Sequence, residues 1–477
     1  SADPYFLYAA SNAGSLVGLL GYPLLLEPRL GVAELARLWA VGFGALVLLV
    51  AACAALALRR SRAEAAGPDP GAPPDAPAGP DAVTRQRALG WVALAFVPSS
   101  LMMSATTHIA TDIASFPLLW VVPLAIYLLT FILAFARRPP VPHGLMVRAL
   151  PMVVLPMVVA LALRANQPVV LLVPLHLLVL FVAALLCHGL LARDRPSARH
   201  LTAFYLWLSV GGALGGLFNA LVAPQVFTSI AEYPIALVLA CLLGPAGAAG
   251  LAAGGPRARL LDLAVPAALG AATAWAIAGA PLGGALAGPI YALAALAAFG
   301  ASGRPLRFGL AVAAILAAAG LDEGRLGRTL EAERSFFGVS RVARSEDGAL
   351  RLLYHGTSLH GAQRVAPERP PEPLAYYARS GPLGQVFAEL GDRLARRPVG
   401  AVGLGTGSVA CYRRPDQAWT FYEIDPTVAR IARDGRHFGF LQGCAPDAAV
   451  VLGDARLSLR DAADGGFGIL VLDAYSS

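Results

Sequence analysis

Lysine is missing from this 477-residue chain, whose 37 basic residues are all arginine. This absence excludes a P-loop lysine, a Schiff-base lysine and a Ser-x-x-Lys nucleophile, because each of those functions requires the lysine amine. Charged residues of either sign are also scarce, at 14% of the chain, whereas a typical soluble domain carries about a quarter. So little charge predicts that much of the chain lies in a lipid bilayer.

Cysteine is rare too, and its five copies stand alone at positions 53, 187, 241, 411 and 444. No C-x-x-C pair occurs, so the spacing predicts neither a zinc site nor a disulfide framework. Cys53, Cys187 and Cys241 lie in apolar segments and are interpreted as small core residues. We expect the protein to bind no metal.

Apolar residues, by contrast, make up 57% of the chain, and the mean hydropathy is +0.63. Several uncharged stretches approach the ~20 residues that cross a ~30 Å hydrocarbon core. The candidate spans are 5–26, 38–58, 89–110, 115–136, 147–164, 168–191, 201–223, 229–246, 260–279, 283–300 and a weaker 305–320. The sequence therefore predicts a multi-pass α-helical membrane bundle with the lipid bilayer as a partner.

Arginine is distributed unequally between the two ends of these spans. One set of loops carries positions 59, 60, 62, 85, 87, 137, 138, 148, 193, 195, 199, 257, 259, 304 and 307, and the opposite set carries 29, 37 and 164. The richer side is predicted to be the cytoplasm, because basic loops are retained there. This pattern accounts for the net charge of +7, and we expect no nucleic-acid partner.

Composition divides the chain into consecutive parts. We predict two spans in 1–60, a disordered Pro/Gly/Ala-rich linker at 61–88, eight or nine spans in 89–322, a β region at 323–398 and a nucleoside-binding half at 399–477. The linker cannot bury a core, and strand-like runs at 336–342 and 350–354 mark the β region. The chain begins at Ser1 rather than Met and ends at Ser477 directly after a strand-like run, so we expect a fragment of a longer protein.

One polar cluster interrupts an apolar span. His108 and Asp112 are four residues apart and therefore share a helix face, flanked by Thr106, Thr107 and Thr111. An ionisable pair at membrane depth indicates a functional site. The alternative is that the pair lies in water at the outer end of the span.

A glycine-rich run, GLGTG at 403–407, follows the short apolar strand at 399–402. Such a run permits a tight turn and close approach of a ligand, and a following helix would present free N–H groups to it. Glu423 ends the next strand, 18 residues after Gly405, where an acid accepts hydrogen bonds from ribose hydroxyls. Runs at 448–452 and 468–472 end at Gly453, Asp454 and Asp473. Taken singly each acid is as readily a helix cap, but the ordered set predicts one nucleoside-binding crevice.

Several motifs together resemble the bacterial fused major-facilitator-type/spermidine synthase family. They are FFGV at 336–339, HGTSLHG at 355–361, YY at 376–377, GPLG at 381–384, GLGTG at 403–407, YEID at 422–425, GDAR at 453–456 and LDAYSS at 472–477, with YFLYAASN at 5–12 and THIATD at 107–112 in the membrane part. The resemblance covers nearly the whole chain. It implies an α/β Rossmann-like domain, of the class I methyltransferase and spermidine synthase type, after the helices.

The resemblance also implies a reaction and a set of residues. An amine such as putrescine would attack the carbon beside the sulfonium of decarboxylated S-adenosylmethionine and release methylthioadenosine. This co-substrate would be held by Gly403, Gly405 and Gly407 together with Gln363 and Ala455. Glu423 would bind the ribose, and Asp454 would bind the adenine edge. The amine pocket would be lined by Tyr376 and Tyr377. Asp473 would accept a hydrogen bond or a proton from the attacking amine and so orient or deprotonate it. A homo-oligomer through the synthase domain is a further implication.

The chain departs from soluble spermidine synthases on the amine side. Thr406 stands where the family's glycine loop has an acid, and 373–375 reads Pro-Leu-Ala where acids precede the tyrosine. A polycation bound without paired carboxylates would lose charge-assisted hydrogen bonds. Two alternatives therefore stay open: a methyltransferase that uses S-adenosylmethionine on a membrane-delivered acceptor, and a transporter or sensor that a nucleoside-binding domain regulates.

The side of the soluble domain depends on the number of spans. Eleven spans would place everything after residue 320 outside the cytoplasm, and ten would place it inside. The segment at 305–320 is short and rich in alanine, and a cytoplasmic co-substrate requires a cytoplasmic site. We therefore predict a bacterial inner-membrane protein in which one of the eleven candidate spans does not cross the membrane. The soluble domain is then cytoplasmic.

Overall fold

Apolar helices form the first two thirds of the protein. The computed structural model describes residues 4–65, 83–114, 118–243, 255–279, 286–321, 327–366, 370–390, 393 and 396–474. The helices before residue 322 are α1 (Phe6–Gly21), α2 (Val32–Ala65), α3 (Arg85–His108), α4 (Val121–Ala134), α5 (His143–Ala162), α6 (Val169–Arg193), α7 (Leu201–Leu217), α8 (Ala223–Val226), α9 (Glu232–Leu243), α10 (Pro256–Ala278), α11 (Ala287–Phe299) and α12 (Pro305–Leu321). In lipid such helices satisfy every backbone hydrogen bond internally.

Seven helical segments in the described part of the chain are long and apolar enough to cross a bilayer, and four apolar helices are shorter. Their length and composition indicate a multi-pass helical membrane protein. The weakest predicted span, 305–320, forms α12, whose Phe308, Val312 and Ile315 are fully buried. The segment that we expected to drop from the count is therefore an integral helix of the bundle.

Helices α3 and α7 pack very closely. A Cβ atom on Gly211 would lie 2.4 Å from the Val92 carbonyl oxygen, and one on Gly215 would lie 2.8 Å from that of Phe96. Glycine at these two positions lets the backbones meet, as small residues do in membrane bundles.

Helices extend into both ends of the predicted linker. Helix α2 continues to Ala65 and α3 begins at Arg85, capped by the Thr84 hydroxyl. Both helices therefore extend past the predicted linker bounds of 61 and 88. Positions 66–82, the remainder of the predicted linker, lie outside the described residues.

Two small sheets make up the C-terminal region, which we define as residues 327–474. The first is antiparallel, in the order β1 (Arg328–Ser335), β2 (Gly338–Arg344), β3 (Leu350–His355) and β4 (Ser358–Arg364). It places Phe336 and Phe337 in the β1–β2 turn rather than in the predicted strand at 336–342. Gly338 permits that turn at a φ of +136°.

The second sheet is parallel, with the strand order β7–β6–β5–β8. Its strands are β5 (Val399–Val402), β6 (Trp419–Glu423), β7 (Ala449–Leu452) and β8 (Ile469–Leu472), with helices α13 (Pro382–Leu390), α14 (Pro426–Arg433), α15 (Phe440–Cys444) and α16 (Ala455–Arg460) around them. All four predicted strands of this half are present. The order reverses at β5, which pairs with β6 on one side and β8 on the other.

The antiparallel sheet rests on one end of the helical bundle. The Thr357 hydroxyl, in the β3–β4 turn, donates to the Asp112 carbonyl oxygen at 2.7 Å and accepts from the Asn166 amide at 3.3 Å. Arg334 of β1 binds Glu232 at the start of α9. The C-terminal region therefore contacts the end of the bundle formed by the end of α3, the α5–α6 loop and the start of α9.

Candidate functional site

The glycine loop and Asp473 are adjacent because β5 and β8 are paired. The Gly403 N–H donates to the Tyr422 carbonyl, and the Asp473 N–H donates to the Val402 carbonyl, both at 2.9 Å. Gly403 has a φ of +91°, and a Cβ atom there would lie 2.2 Å from the Asp473 carbonyl oxygen. Both strands end at a topological switch point, which is where open parallel sheets bind their ligands.

The remaining glycines keep the loop compact. Gly405 and Gly407 also have positive φ angles, +54° and +80°. A Cβ atom on Gly407 would lie 2.9 Å from the Leu441 side chain. The segment after the loop, Ser408–Tyr412, is a short 3-10 helix rather than the longer helix that we expected to present N–H groups to a ligand.

Glu423 is directed at the glycine loop and is buried. One carboxylate oxygen accepts from the Leu404 N–H and the other from the Asp425 N–H, both at 2.9 Å. These bonds fix the loop against the end of β6. A carboxylate accepts about four hydrogen bonds, so each oxygen keeps acceptor capacity for a ribose hydroxyl.

Asp454 caps a helix, which was one of the two interpretations of each acid taken singly. Its carboxylate accepts from the N–H groups of Arg456 and Leu457 at 2.8 and 3.3 Å, and Ala455 is the first residue of α16. The N–H of Gly453 donates to the Glu423 carbonyl at 2.9 Å. Asp454 and Ala455 thus follow the strand beside Glu423 at the same edge of the sheet.

Asp473 lies half-buried at the end of β8. Burial raises the pKa of its carboxyl above the ordinary aspartate value, because a low-polarity environment disfavours the charged form. A carboxyl with a raised pKa in a crevice is a candidate for proton transfer. The backbone of Asp473 lies directly beside Gly403, so this acid ends its strand next to the glycine loop.

The predicted pocket residues of the antiparallel sheet have other contacts. The Gln363 side-chain oxygen accepts from the Gly439 N–H at 2.8 Å, and the Tyr376 hydroxyl donates to the His360 carbonyl at 3.1 Å. Tyr377 is buried in the core of the parallel sheet, and its carbonyl accepts from the Tyr412 hydroxyl. Tyr376 is exposed, whereas Tyr377 is a core residue.

Two hydroxyls, one in the glycine loop and one directly after it, were missed as site residues. Thr406 and Ser408 are almost completely buried, yet the Oγ1 and Oγ atoms have no hydrogen-bond partner in the described part of the chain. Gly361 of β4 lies directly over this loop, since a Cβ atom there would be 2.5 Å from the Thr406 methyl carbon. Their position in and directly after the glycine run was the available sequence signal. Buried hydroxyls without a partner call for a ligand or water.

A shallow cavity of about 420 Å³ lies elsewhere, lined by Pro426, Ala429, Arg430, Arg433, Asp434 and Leu452. Its walls come from α14 and the end of β7. The glycine loop does not line it. We therefore place the candidate site by its strand ends and not by this cavity.

Cys411 and Cys444 form a disulfide in the C-terminal region. Their Cα atoms are 4.8 Å apart, and the bond joins the 3-10 helix after the glycine loop to the end of α15. The expectation of no disulfide is wrong, because spacing along the chain carries no information on a pair 33 residues apart. Among the described residues Cys53, Cys187 and Cys241 are free, and no group of three potential metal ligands occurs.

The polar pair in α3 lies at the junction with the C-terminal region. His108 Nδ1 is 2.8 Å from an Asp112 carboxylate oxygen. The His108 ring lies 5.1 Å from that of His176, which bonds the Tyr233 hydroxyl at 2.6 Å. Asp112 sits in a π-helical turn, Ile109–Ile113, a feature frequent at functional sites.

No protein-family model, no curated protein and no solved structure matches this chain.

Proposed function

We propose that the C-terminal region is a Rossmann-like aminopropyltransferase domain that transfers the aminopropyl group of decarboxylated S-adenosylmethionine to putrescine or a related amine. The observation that carries the proposal is the switch point between β5 and β8, where Gly403 meets Asp473. A nucleoside sulfonium held by the glycine loop would present its reactive carbon near Asp473. The strand order β7–β6–β5–β8 matches the first four strands of the doubly wound arrangement.

The residues have separate roles in this proposal. Glu423 binds the ribose hydroxyls through its remaining lone pairs, while its bonds to the Leu404 and Asp425 N–H groups hold it in place. Asp454 lies at the adenine edge, and the buried hydroxyls of Thr406 and Ser408 supply donors inside the loop.

The chemistry needs an unprotonated amine and an aligned electrophile. The amine nitrogen forms a bond to the methylene carbon beside the sulfonium, and the carbon–sulfur bond breaks with its electron pair on sulfur. Methylthioadenosine leaves, and the proton of the new ammonium passes to the Asp473 carboxylate and then to water. Positioning in this way lowers the entropic part of the barrier.

Two other functions are each favoured by one observation. The sequence Pro-Leu-Ala at 373–375 supplies no carboxylate for a polyamine, which favours a methyltransferase that uses S-adenosylmethionine. The contact between Thr357 and Asp112 joins the C-terminal region to the His108–Asp112 pair, which favours a nucleoside-regulated transporter or sensor. Transport predicts that His108→Ala and Asp112→Asn reduce solute flux, whereas a passive anchor predicts no effect.

The test is methylthioadenosine release by the purified full-length chain in detergent, given decarboxylated S-adenosylmethionine and putrescine. Release that requires the amine supports the proposal. Methyl transfer from S-adenosylmethionine, without methylthioadenosine, would replace it with the methyltransferase. Calorimetric titration with each nucleoside and with putrescine then separates the two by binding preference.

A further inference from the structure

The two ends of the helical bundle differ in charge, and their contacts show which loops share an end. Arg87 donates to Asp194, the Tyr5 hydroxyl donates to the Pro196 carbonyl at 2.7 Å, and the Arg137 guanidinium lies over the Phe6 ring. The start of α1, the start of α3, the α4–α5 loop and the α6–α7 loop therefore meet at one end. We call this the arginine-rich end.

The α11–α12 loop belongs to the arginine-rich end as well. Four described helices connect the α6–α7 loop to the α11–α12 loop: α7 (counted together with α8), α9, α10 and α11. Four crossings return the chain to the end from which it started. Arg304 and Arg307 of this loop and of α12 bind Asp262 at the start of α10, which places all three at the same end.

The C-terminal region sits at the other end. Its contacts are to Asp112 at the end of α3, Asn166 in the α5–α6 loop, and Ser229 and Glu232 before and at the start of α9. The loops of this end carry arginine at positions 29, 37 and 164, against the fifteen positions of the arginine-rich end. The last helix, α12, spans from the arginine-rich end to the C-terminal region.

Basic loops are retained in the cytoplasm, so the C-terminal region lies on the far side of the membrane from it. The disulfide between Cys411 and Cys444 is an independent observation. Disulfides persist in oxidising compartments outside the cytoplasm and are rare in cytoplasmic proteins. The three free cysteines, Cys53, Cys187 and Cys241, all lie in membrane helices.

We propose that the C-terminal region, with the crevice between Gly403 and Asp473, faces the extracytoplasmic space. This differs from the cytoplasmic side expected from co-substrate supply and a count of ten spans. A crevice on that side meets only ligands that are present there or are exported. If the proposed aminopropyl transfer also holds, its nucleoside co-substrate must first cross the membrane.

The experiment labels single added cysteines in intact cells of a bacterial host, using a membrane-impermeant maleimide and the full-length chain. Glu346→Cys lies in the exposed β2–β3 turn, and the matched control Ala198→Cys lies in the exposed α6–α7 loop at the arginine-rich end. We expect Glu346→Cys to react in intact cells, and Ala198→Cys to react only after the membrane is permeabilised.

The reverse pattern, with Ala198→Cys labelled first, overturns the proposal. Labelling depends on neither catalysis nor nucleoside binding, so its outcome is separate from that of the methylthioadenosine assay. A variant that fails to fold is identified by loss of the full-length protein from the membrane fraction. Fusion of alkaline phosphatase or a green fluorescent protein after residue 477 then gives the same answer, since the former is active only outside and the latter fluoresces only inside.

Discussion

Arg334 and Glu232 form a buried ion pair across the junction between the helical bundle and the C-terminal region. The two guanidinium nitrogens donate to the two carboxylate oxygens at 2.7 and 2.9 Å, and the side chains are 8% and 2% exposed. The same guanidinium donates to the Ser229 carbonyl. This bidentate contact fixes the first strand of the sheet to the start of α9.

Removal of Glu232 alone is expected to weaken this junction strongly. Glu232→Gln leaves the Arg334 charge buried without a counter-charge, and such a change costs about 3–5 kcal/mol. Limited proteolysis of the detergent-solubilised protein should then cleave the C-terminal region at lower protease concentration. The exposed Glu346→Gln serves as the control. If Glu232→Gln were as resistant as a Glu232→Leu/Arg334→Met double variant, the buried charge would not be the cause.

Replacement of Asp473 tests its role as the acceptor of the amine proton. Asp473→Asn is expected to reduce methylthioadenosine release by at least a hundredfold, since proton transfer of this kind contributes about 10²–10⁴-fold. Nucleoside binding, measured by calorimetry, should change little. Asp461→Asn, at an exposed position, is the matched control, and undiminished release by Asp473→Asn would contradict the assignment.

The decline of activity at low pH should also reflect the protonation of Asp473. Only the ionised carboxylate accepts a proton, and burial raises the pKa of this group, so activity should fall as the pH drops through a value above the ordinary ~3.9. The free energy of unfolding should change in the opposite direction and rise as the pH falls, because burial disfavours the charged carboxylate. Asp473→Asn removes that cost at neutral pH. A profile of kcat/KM against pH, with thermal unfolding beside it, checks both. An acid limb unchanged in Asp473→Asn would assign it to another group.

The glycine loop is expected to tolerate no side chain at Gly403. Gly403→Ala combines a positive φ with a Cβ contact of 2.2 Å to the Asp473 backbone, whereas Gly465→Ala has a φ of +67° in open space. Backbone strain from the positive φ alone costs roughly 1–2 kcal/mol. Gly465→Ala therefore measures the contribution of that strain to the free energy of unfolding. We expect only Gly403→Ala to lose at least tenfold in nucleoside affinity. Equal affinities for the two variants would remove the loop from the binding site.

Loss of the Cys411–Cys444 bond should destabilise the C-terminal region selectively. A bond that closes about 33 residues restricts the unfolded chain by roughly 3–4 kcal/mol on the chain-entropy model. Cys411→Ala is expected to lower the melting temperature of this region, as followed by near-UV circular dichroism, and added reductant should lower it in the unmodified protein. Cys53→Ala, which alters a free cysteine in α2, should leave it unchanged. No effect of reductant would show that the thiols are unpaired.

Sequence alone predicted the features that depend on local pattern. The apolar spans and the strands that end in Glu423, Asp454 and Asp473 were visible because hydrophobicity and chain order determine them. The contacts of those acids were not visible, since whether Glu423 faces a ligand or the Leu404 N–H depends on packing between strands.

Pairings across long separations were missed for the same reason. Glu232 and Arg334 are 102 residues apart, and nothing in the local sequence of either residue indicates the other. Cys411 and Cys444 were interpreted singly because no spacing rule joins them. The role of the segment at 305–320 was also missed, because its alanine-rich composition does not reveal that Phe308, Val312 and Ile315 are buried in the bundle.

The hydroxyl of Thr357 donates to the carbonyl of Asp112, a residue that precedes it by 245 positions. Asp112 lies in the π-helical turn after α3, and Thr357 lies in the β3–β4 turn. During synthesis the helix leaves the ribosome long before the turn does. The contact between these two segments can therefore form only after the β3–β4 turn has been synthesised.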